Sequence, residues 1–265
     1  RRRPWVAVLL SLFAPGLGQL YAGKLAGAFA ASLLYIAFFP AVAWLGLRLR
    51  GGRAALFAPV AIGVFFATGV CLDAARQARR GRPILDARWK RALLYAAWFV
   101  VLSLGVDVTR AVVRGHLAQA FRLSTGSMLP VMLPGDHFVV DKRAYRSSTP
   151  ARGDLVAFRS PVEPHGINVK RVIGLPGAQV RFKHREVYVN GVADGYMPSD
   201  VKFDDAVIAP GTFFLMGDDR SRSLDSRSYG AVPVDGIIGR VSHVYFSRDP
   251  ETGRIRWDRM GLIPE

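Results

Sequence analysis

The sequence predicts two regions: an N-terminal α-helical membrane region, then a mainly antiparallel β domain. Three observations predict this. Residues 25–47 run 23 positions without a charge, and residues 54–72 run 19; each is close to the ~20 apolar residues that cross a bilayer as a helix. Residues 92–113 form a third such stretch, interrupted only by Asp107 and Arg110. After residue 116 short β-branched and aromatic runs alternate with Gly, Pro and Asp turns, and no long 3.6-residue period appears.

The charge divides at the same place. Residues 1–116 hold 16 of the 36 Lys and Arg and only three acids, Asp73, Asp86 and Asp107, whereas residues 117–265 hold 20 basic and 17 acidic residues. Thirteen of the net +16 charges therefore belong to the membrane part and only three to the rest. Basic loops beside apolar spans mark the cytoplasmic side of a membrane protein, so nucleic acid is not the expected partner. The expected domains are 1–90, a multi-span membrane module with a basic cytoplasmic loop; 91–116, an anchor helix; and 117–265, an extracytoplasmic β domain.

Orientation follows from Arg76, Arg79, Arg80, Arg82, Arg88, Lys90 and Arg91, which place residues 76–91 in the cytoplasm. The span at 92–113 then leads outward. Counting back puts Lys24 inside and the loop with Arg48, Arg50 and Arg53 outside, against the charge rule but with fewer charges. With Arg1–Arg3 also inside, residues 5–20 are a re-entrant or interfacial piece. Pro15-Gly16-Leu17-Gly18-Gln19-Leu20-Tyr21-Ala22-Gly23-Lys24 breaks that piece, and the stretch resembles the turn of small bacterial TM2-like membrane modules. Asp107 and Arg110 lie three apart on one helical face, where they can pair. Cys71 is the single cysteine, in an apolar stretch, so no intrachain disulfide forms.

Strands are expected at His137–Val140, Asp154–Phe158, Val169–Ile173, Val187–Val189, Thr212–Met216 and Ile237–Val241. Asn190-Gly191 is a hairpin signal. Within this part Ser127 sits after Gly126 in a tight turn, and Lys170 lies 43 residues later in an apolar run. A serine needs a base to become a nucleophile, and a desolvated lysine can be that base. In water a lysine of pKa ~10.4 is only about 0.4% neutral at pH 8, so burial among Val169, Val172 and Ile173 has to lower it. Arg171 alternates to the other strand face and leaves Lys170 pointing inward. Serine, lysine and spans together point to a membrane-bound serine protease. His116, His137, His165, His184 and His243 are scattered and carry no triad signature. No metal-ligand spacing occurs, so neither metal nor cofactor is expected.

Four blocks occur in the order found in bacterial signal peptidase I, the membrane-bound Ser/Lys peptidase family. They are Ser124–Pro130 with Gly135-Asp136, Arg152–Phe158, Val169–Gly177 and Gly217–Gly230. The resemblance covers about residues 120–246. It implies a β catalytic domain of the signal peptidase I type that removes signal peptides from exported preproteins after an Ala-x-Ala-like site. It further implies that Ser127 is the nucleophile, Lys170 the general base, and Ser223 a hydrogen-bond partner that positions the lysine. The Ser127 N–H and the Thr125 hydroxyl form the implied oxyanion hole. Asp225 and Arg227 are the implied ion pair bracing the last block, with Gly217 and Asp218 in its turn. The implied partners are preproteins, the lipid bilayer and nearby secretion machinery; the implied location is the cytoplasmic membrane, with the catalytic domain on its periplasmic or extracellular face.

Ser124, Val131, Ala178 and Asp219 depart from the family pattern without removing a catalytic group. The stretch from Gly177 to Gly217 is short, so a reduced β insertion is expected there. Met128 and the His137–Val140 strand, both near Ser127, are candidate pocket walls. The competing reading is a non-catalytic membrane-anchored β module that binds exported proteins; the intact Ser127, Lys170 and Ser223 argue against it. A self-cleaving repressor with Ser/Lys chemistry would need a soluble DNA-binding N-terminus, which the spans exclude.

Overall fold

The computed structural model describes residues 3–49, 52–80, 87–163, 166–183, 185–196 and 205–264. Arg1, Arg2, Arg50, Arg82, Asp86, His165 and His184 lie outside these. The chain divides near residue 115 into a helical unit and a β unit.

The helical unit opens with α1 (Pro4–Phe13) and α2 (Leu17–Tyr21). Three long helices follow: α3 (Leu25–Arg48), α4 (Gly52–Ala78) and α5 (Arg88–His116). Leu25–Arg48, Phe57–Ala78 and Arg88–His116 are each long and apolar enough to cross a membrane. The helices run past the charge-free stretches at most ends, because backbone hydrogen bonding continues where hydropathy stops. α4 carries on through Asp73 and Arg76. Gln19 accounts for part of this, since its buried amide donates to the Val70 carbonyl at 3.0 Å and to Asp73 Oδ2 at 3.1 Å. A buried amide needs such partners. The Asp107–Arg110 pair forms, with one contact of 3.4 Å.

The β unit begins with β1 (Ala118–Arg122), β2 (Asp136–Asp141), β3 (Leu155–Arg159) and β4 (Ile167–Gly174). Next come β5 (Gln179–Lys183), β6 (Glu186–Val189), β7 (Val192–Tyr196), β8 (Ala206–Val207) and β9 (Thr212–Met216). The short helix α6 (Ser226–Tyr229), β10 (Val232–Pro233) and β11 (Ile237–Ser247) complete it. One sheet has the order β1-β2-β11-β3-β4-β9-β10, a second β7-β6-β5-β8, and all pairings are antiparallel.

All six expected strands are present. The reading from sequence named no strand at β1, β5, β7, β8 or β10; Gln, Arg, Lys and Asp side chains break the alternation of the first three, and the last two are only two residues long. β7 and β8 are also the edges of the second sheet. That sheet fills the stretch between Gly177 and Gly217 that was expected to be reduced. The Asn190-Gly191 turn joins β6 to β7, with both residues at positive φ, 53° and 82°.

Both faces of the first sheet are covered, which is why β3 reads as a continuous apolar run. Leu155 and Ala157 pack with Met128, Met132, Phe138 and Val140. Val156 and Phe158 pack with Val172, Phe213 and Leu215. A third cluster, with Ile173, Val180, Val189, Phe214 and Met216, joins the two sheets.

One buried ion pair ties the C-terminal segment to β2. Asp136 is fully buried and meets Arg259 at 2.6 Å, while the Ser247 hydroxyl donates to it at 2.6 Å and the Leu133 N–H at 2.9 Å. Asp136→Ala leaves the largely buried Arg259 guanidinium unpaired, so it should destabilise the β unit by about 3 kcal/mol or more. Asp141→Ala, at a half-exposed pair with Arg143, should cost less than about 1 kcal/mol. Thermal melts of the detergent-solubilised full chain check the contrast.

Candidate active site

Ser127 sits in a closed loop between β1 and β2. The loop is pinned at its neck by the Leu123 N–H to the Asp136 carbonyl and the Gly135 N–H to the Leu123 carbonyl, both 2.8 Å. Met128 and Met132, wholly buried, anchor it in the core. Met128 is therefore core rather than an open pocket wall. Gly126, before Ser127 in this turn, has no positive φ. A Cβ there would lie 3.1 Å from the Leu129 side chain, so its role is to leave room.

Lys170 lies in mid-β4, opposite Val156 of β3. Its side chain is 4% exposed, and its Nζ is 2.7 Å from Ser127 Oγ. Burial pulls its pKa from the ordinary lysine range down to about 8; Asp225 pushes it back up, Arg227 lowers it and Asp218 raises it, all through charge. Thr125 Oγ1 is 3.3 Å from Ser127 Oγ. The Ser127 hydroxyl thus lies between a buried amine and a second hydroxyl.

The loop after β9 closes over the serine turn. The Asp219 N–H donates to the Ser127 carbonyl at 3.2 Å. Gly217 makes this approach possible: a Cβ there would lie 2.4 Å from the Ser127 carbonyl oxygen and 2.3 Å from Ser223 Oγ. Those distances are shorter than any real contact, so no side chain fits.

Asp225 and Arg227 form a bidentate pair at 2.7 and 2.9 Å, almost fully buried. The general expectation for an Asp-x-Arg loop pair, exposed and weak, is thus replaced by a buried brace. Asp225 also accepts from the Gly217 N–H at 3.0 Å and caps α6 through the Arg227 N–H. Arg227 reaches the Ser223 carbonyl at 3.1 Å. Burial alone would raise the Asp225 pKa; the Arg227 guanidinium and the Gly217 N–H outweigh it and hold the carboxyl below its ordinary value.

Ser223 differs from what the resemblance implied. Its hydroxyl is buried at Gly217 and makes no hydrogen bond to Lys170; it lies instead beside Asp225, where it helps hold that carboxyl below its ordinary value. Asp218 does more than belong to a turn. It takes Arg171 in a bidentate pair at 2.7 and 2.8 Å, so the side chain after Lys170 is tied to the closing loop. No local signal could have found this pair, because 47 residues separate its members. Of the described histidines none hydrogen-bonds Ser127; His243 is buried, with Ser242 Oγ 3.1 Å from its Nδ1, and burial lowers its pKa.

A family model for signal peptidase, peptidase S26, matches residues 89–246. Signal peptidase I of Leptolyngbya laminosa is 32% identical over 177 residues, covering 62% of this chain and 83% of its own length. The probable signal peptidase I-2 of Synechocystis sp. is 31% identical over 169 residues, covering 60% of this chain and 73% of its own. A crystal structure of a signal peptidase I from Enterococcus faecalis V583 is 29% identical over 35% of this chain and 97% of that one, with a TM-score of 0.30. The chain belongs to the signal peptidase, peptidase S26 family. It is a peptidase of the signal peptidase I kind, with apolar helices ahead of an antiparallel β domain.

Gly217→Ala tests whether the two loops have to touch. It should displace Ser127 or Ser223 and lower turnover of a preprotein by about 100-fold, the effect of roughly 1 Å of misplacement. Activity at the parent level would mean the contact is not needed.

Proposed function

We propose that this chain removes signal peptides from exported preproteins by Ser/Lys chemistry. The observation that carries the reading is the 2.7 Å contact between a buried lysine of pKa about 8 and the Ser127 hydroxyl. Neutral Lys170 accepts the hydroxyl proton as Ser127 Oγ attacks the scissile carbonyl. The carbonyl oxygen becomes an oxyanion, stabilised by the Ser127 N–H and the Thr125 hydroxyl. The resulting ammonium gives its proton to the leaving amine, whose C–N bond breaks, and leaves an acyl-enzyme ester on Ser127. Lys170, neutral again, takes a proton from water as that water attacks the ester, and Ser127 is regenerated. Asp225–Arg227 and Gly217 hold the closing loop, Ser223 packs against Gly217, and Asp218 fixes the neighbouring Arg171.

In this reading residues 76–91 are cytoplasmic, α5 leads outward, and the β unit acts on the outer face of the cytoplasmic membrane near the secretion machinery. The substrate is an extended segment with small residues at the first and third positions before the cut. An extended peptide presents alternate side chains to one face.

Ser127→Ala and Lys170→Met should each lower preprotein cleavage by about 1,000-fold or more, since nucleophile and base act as a unit. For the parent, kcat/KM should rise about tenfold per pH unit and level off above pH about 8, as the buried amine loses its proton. A flat profile from pH 6 to 9, or Lys170→Met within tenfold of the parent, would overturn the base assignment.

A preprotein series with Ala, Gly, Ser, Val, Leu and Phe at the first and third positions reads the specificity. Cutting should be efficient for Ala, Gly and Ser and poor for the others. Efficient cutting after Leu or Phe at the first position would contradict small pockets.

A further inference from the structure

We propose that the helical unit holds one amino-phospholipid, with an acyl chain in a cavity beside the Pro15–Gly16 turn and the headgroup on Asp107 and Arg110. The proposal rests on the reading that these helices cross a bilayer. The cavity measures about 290 Å³. Phe13, Tyr35, Phe99, Leu102 and Val106 line it, and Asp107 and Arg110 also border it. Phe13 and Phe99 stack with ring centroids 5.2 Å apart.

The turn that borders the cavity is built rigidly. Gly16 is left-handed at φ 98° and breaks the helix between α1 and α2. The Ser32 hydroxyl donates to the Pro15 carbonyl at 3.0 Å, and the Trp98 indole N–H donates to Ser32 Oγ at 3.1 Å. The hollow has apolar walls at Phe13, Tyr35, Phe99, Leu102 and Val106 and polar ones at Ser103, Asp107 and Arg110, which suits a molecule with both kinds of surface. In a bilayer an acyl chain is the apolar filler at hand.

The charges say which lipid. Fifteen uncharged residues separate Arg91 from Asp107, about 22 Å of helix, so both charged groups sit toward the far side of a ~30 Å hydrocarbon layer. Acidic and basic groups there are expensive and mark ligand sites more often than packing. Their mutual contact uses only Arg110 Nη1 and Asp107 Oδ1, at 3.4 Å, and both side chains are well exposed. The rest of the guanidinium fork is left to accept a phosphate, while its face lies 5.7 Å from the Phe39 ring centroid. Asp107 Oδ2 is left to receive an N–H. A phosphate and a primary ammonium on one molecule match that pair. A choline headgroup has no N–H to give, and a glycerol headgroup has no cation.

The test uses the full chain in mild detergent, exposed to equal amounts of dioleoyl phosphatidylethanolamine, phosphatidylcholine and phosphatidylglycerol. Native mass spectrometry reads what is retained. The ethanolamine lipid should exceed each of the others by about threefold, the effect of one average hydrogen bond in a membrane protein. Asp107→Asn should bring the ratio to one, whereas Arg110→Gln, which removes the contact to the phosphate that all three lipids share, should reduce retention of all three. Ser103→Phe, which fills the cavity and keeps both charges, should reduce retention of all three. Equal retention by the parent, a preference for the glycerol lipid, a preference that survives Asp107→Asn, or undiminished retention by Arg110→Gln overturns the proposal. Carbonate extraction of the same membranes separates the two claims. Release of the chain would sink the membrane reading and the site with it, whereas an integral chain without headgroup preference sinks only the site.

Discussion

An amine beside a serine hydroxyl can take its proton only when it is itself uncharged, and a lysine in water is charged at any pH a cell meets. In the proposed mechanism the β unit solves this by geometry. Lys170 is placed in mid-strand, with β3 on one side and β9 on the other, where water does not reach. Burial lowers its pKa to about 8, and the loop carrying Ser127 is pinned so that the hydroxyl meets the amine at 2.7 Å. The order β3-β4-β9 matters because β9 delivers the loop that closes over the serine turn.

That placement has a cost, and its sign follows from linkage. The folded state holds the Lys170 proton less tightly than the unfolded chain, so the unfolded chain binds more protons between pH about 8 and ~10.4, and stability rises with pH across that window. Below it the penalty for a buried ammonium is fully present. The neighbouring charges set its size. Asp225 favours the ammonium and Arg227 opposes it, and their tight pairing leaves little net field at the amine. Breaking that pair would therefore disturb the loop and the titration together. Arg171 with Asp218 makes a second bidentate tie between β4 and the same loop.

The residues that touch in the site were readable because each stands in a short block of distinctive residues: Ser127 and Thr125 after β1, Lys170 in an apolar run, Gly217 and Asp225 near the end. The spans were readable because hydropathy is a local property. What was not readable was set by tertiary contact. Arg171 looked like an outward surface charge, yet it finds Asp218 across 47 residues. Ser223 was assigned to the lysine by resemblance, whereas its hydroxyl here lies against Gly217 and beside Asp225. β1 and β5 were hidden because Gln, Arg and Lys interrupt their apolar alternation, and sheet pairing rather than propensity makes them strands.

The helical unit follows the same logic in another solvent. Its polar side chains are few, and Gln19 and Ser32 are satisfied within the unit; the exposed Asp107–Arg110 pair stands out against that background. For the β unit everything returns to one proton. Uniform labelling of lysine with carbon-13 at Cε, with the Lys170 signal assigned by its absence in Lys170→Met, lets that group be titrated directly by NMR in the detergent-solubilised chain. A midpoint near pH 8 is the expected result. A midpoint near the ordinary ~10.4 would contradict it, because the amine would then be solvated and charged, and Ser127 would have no base.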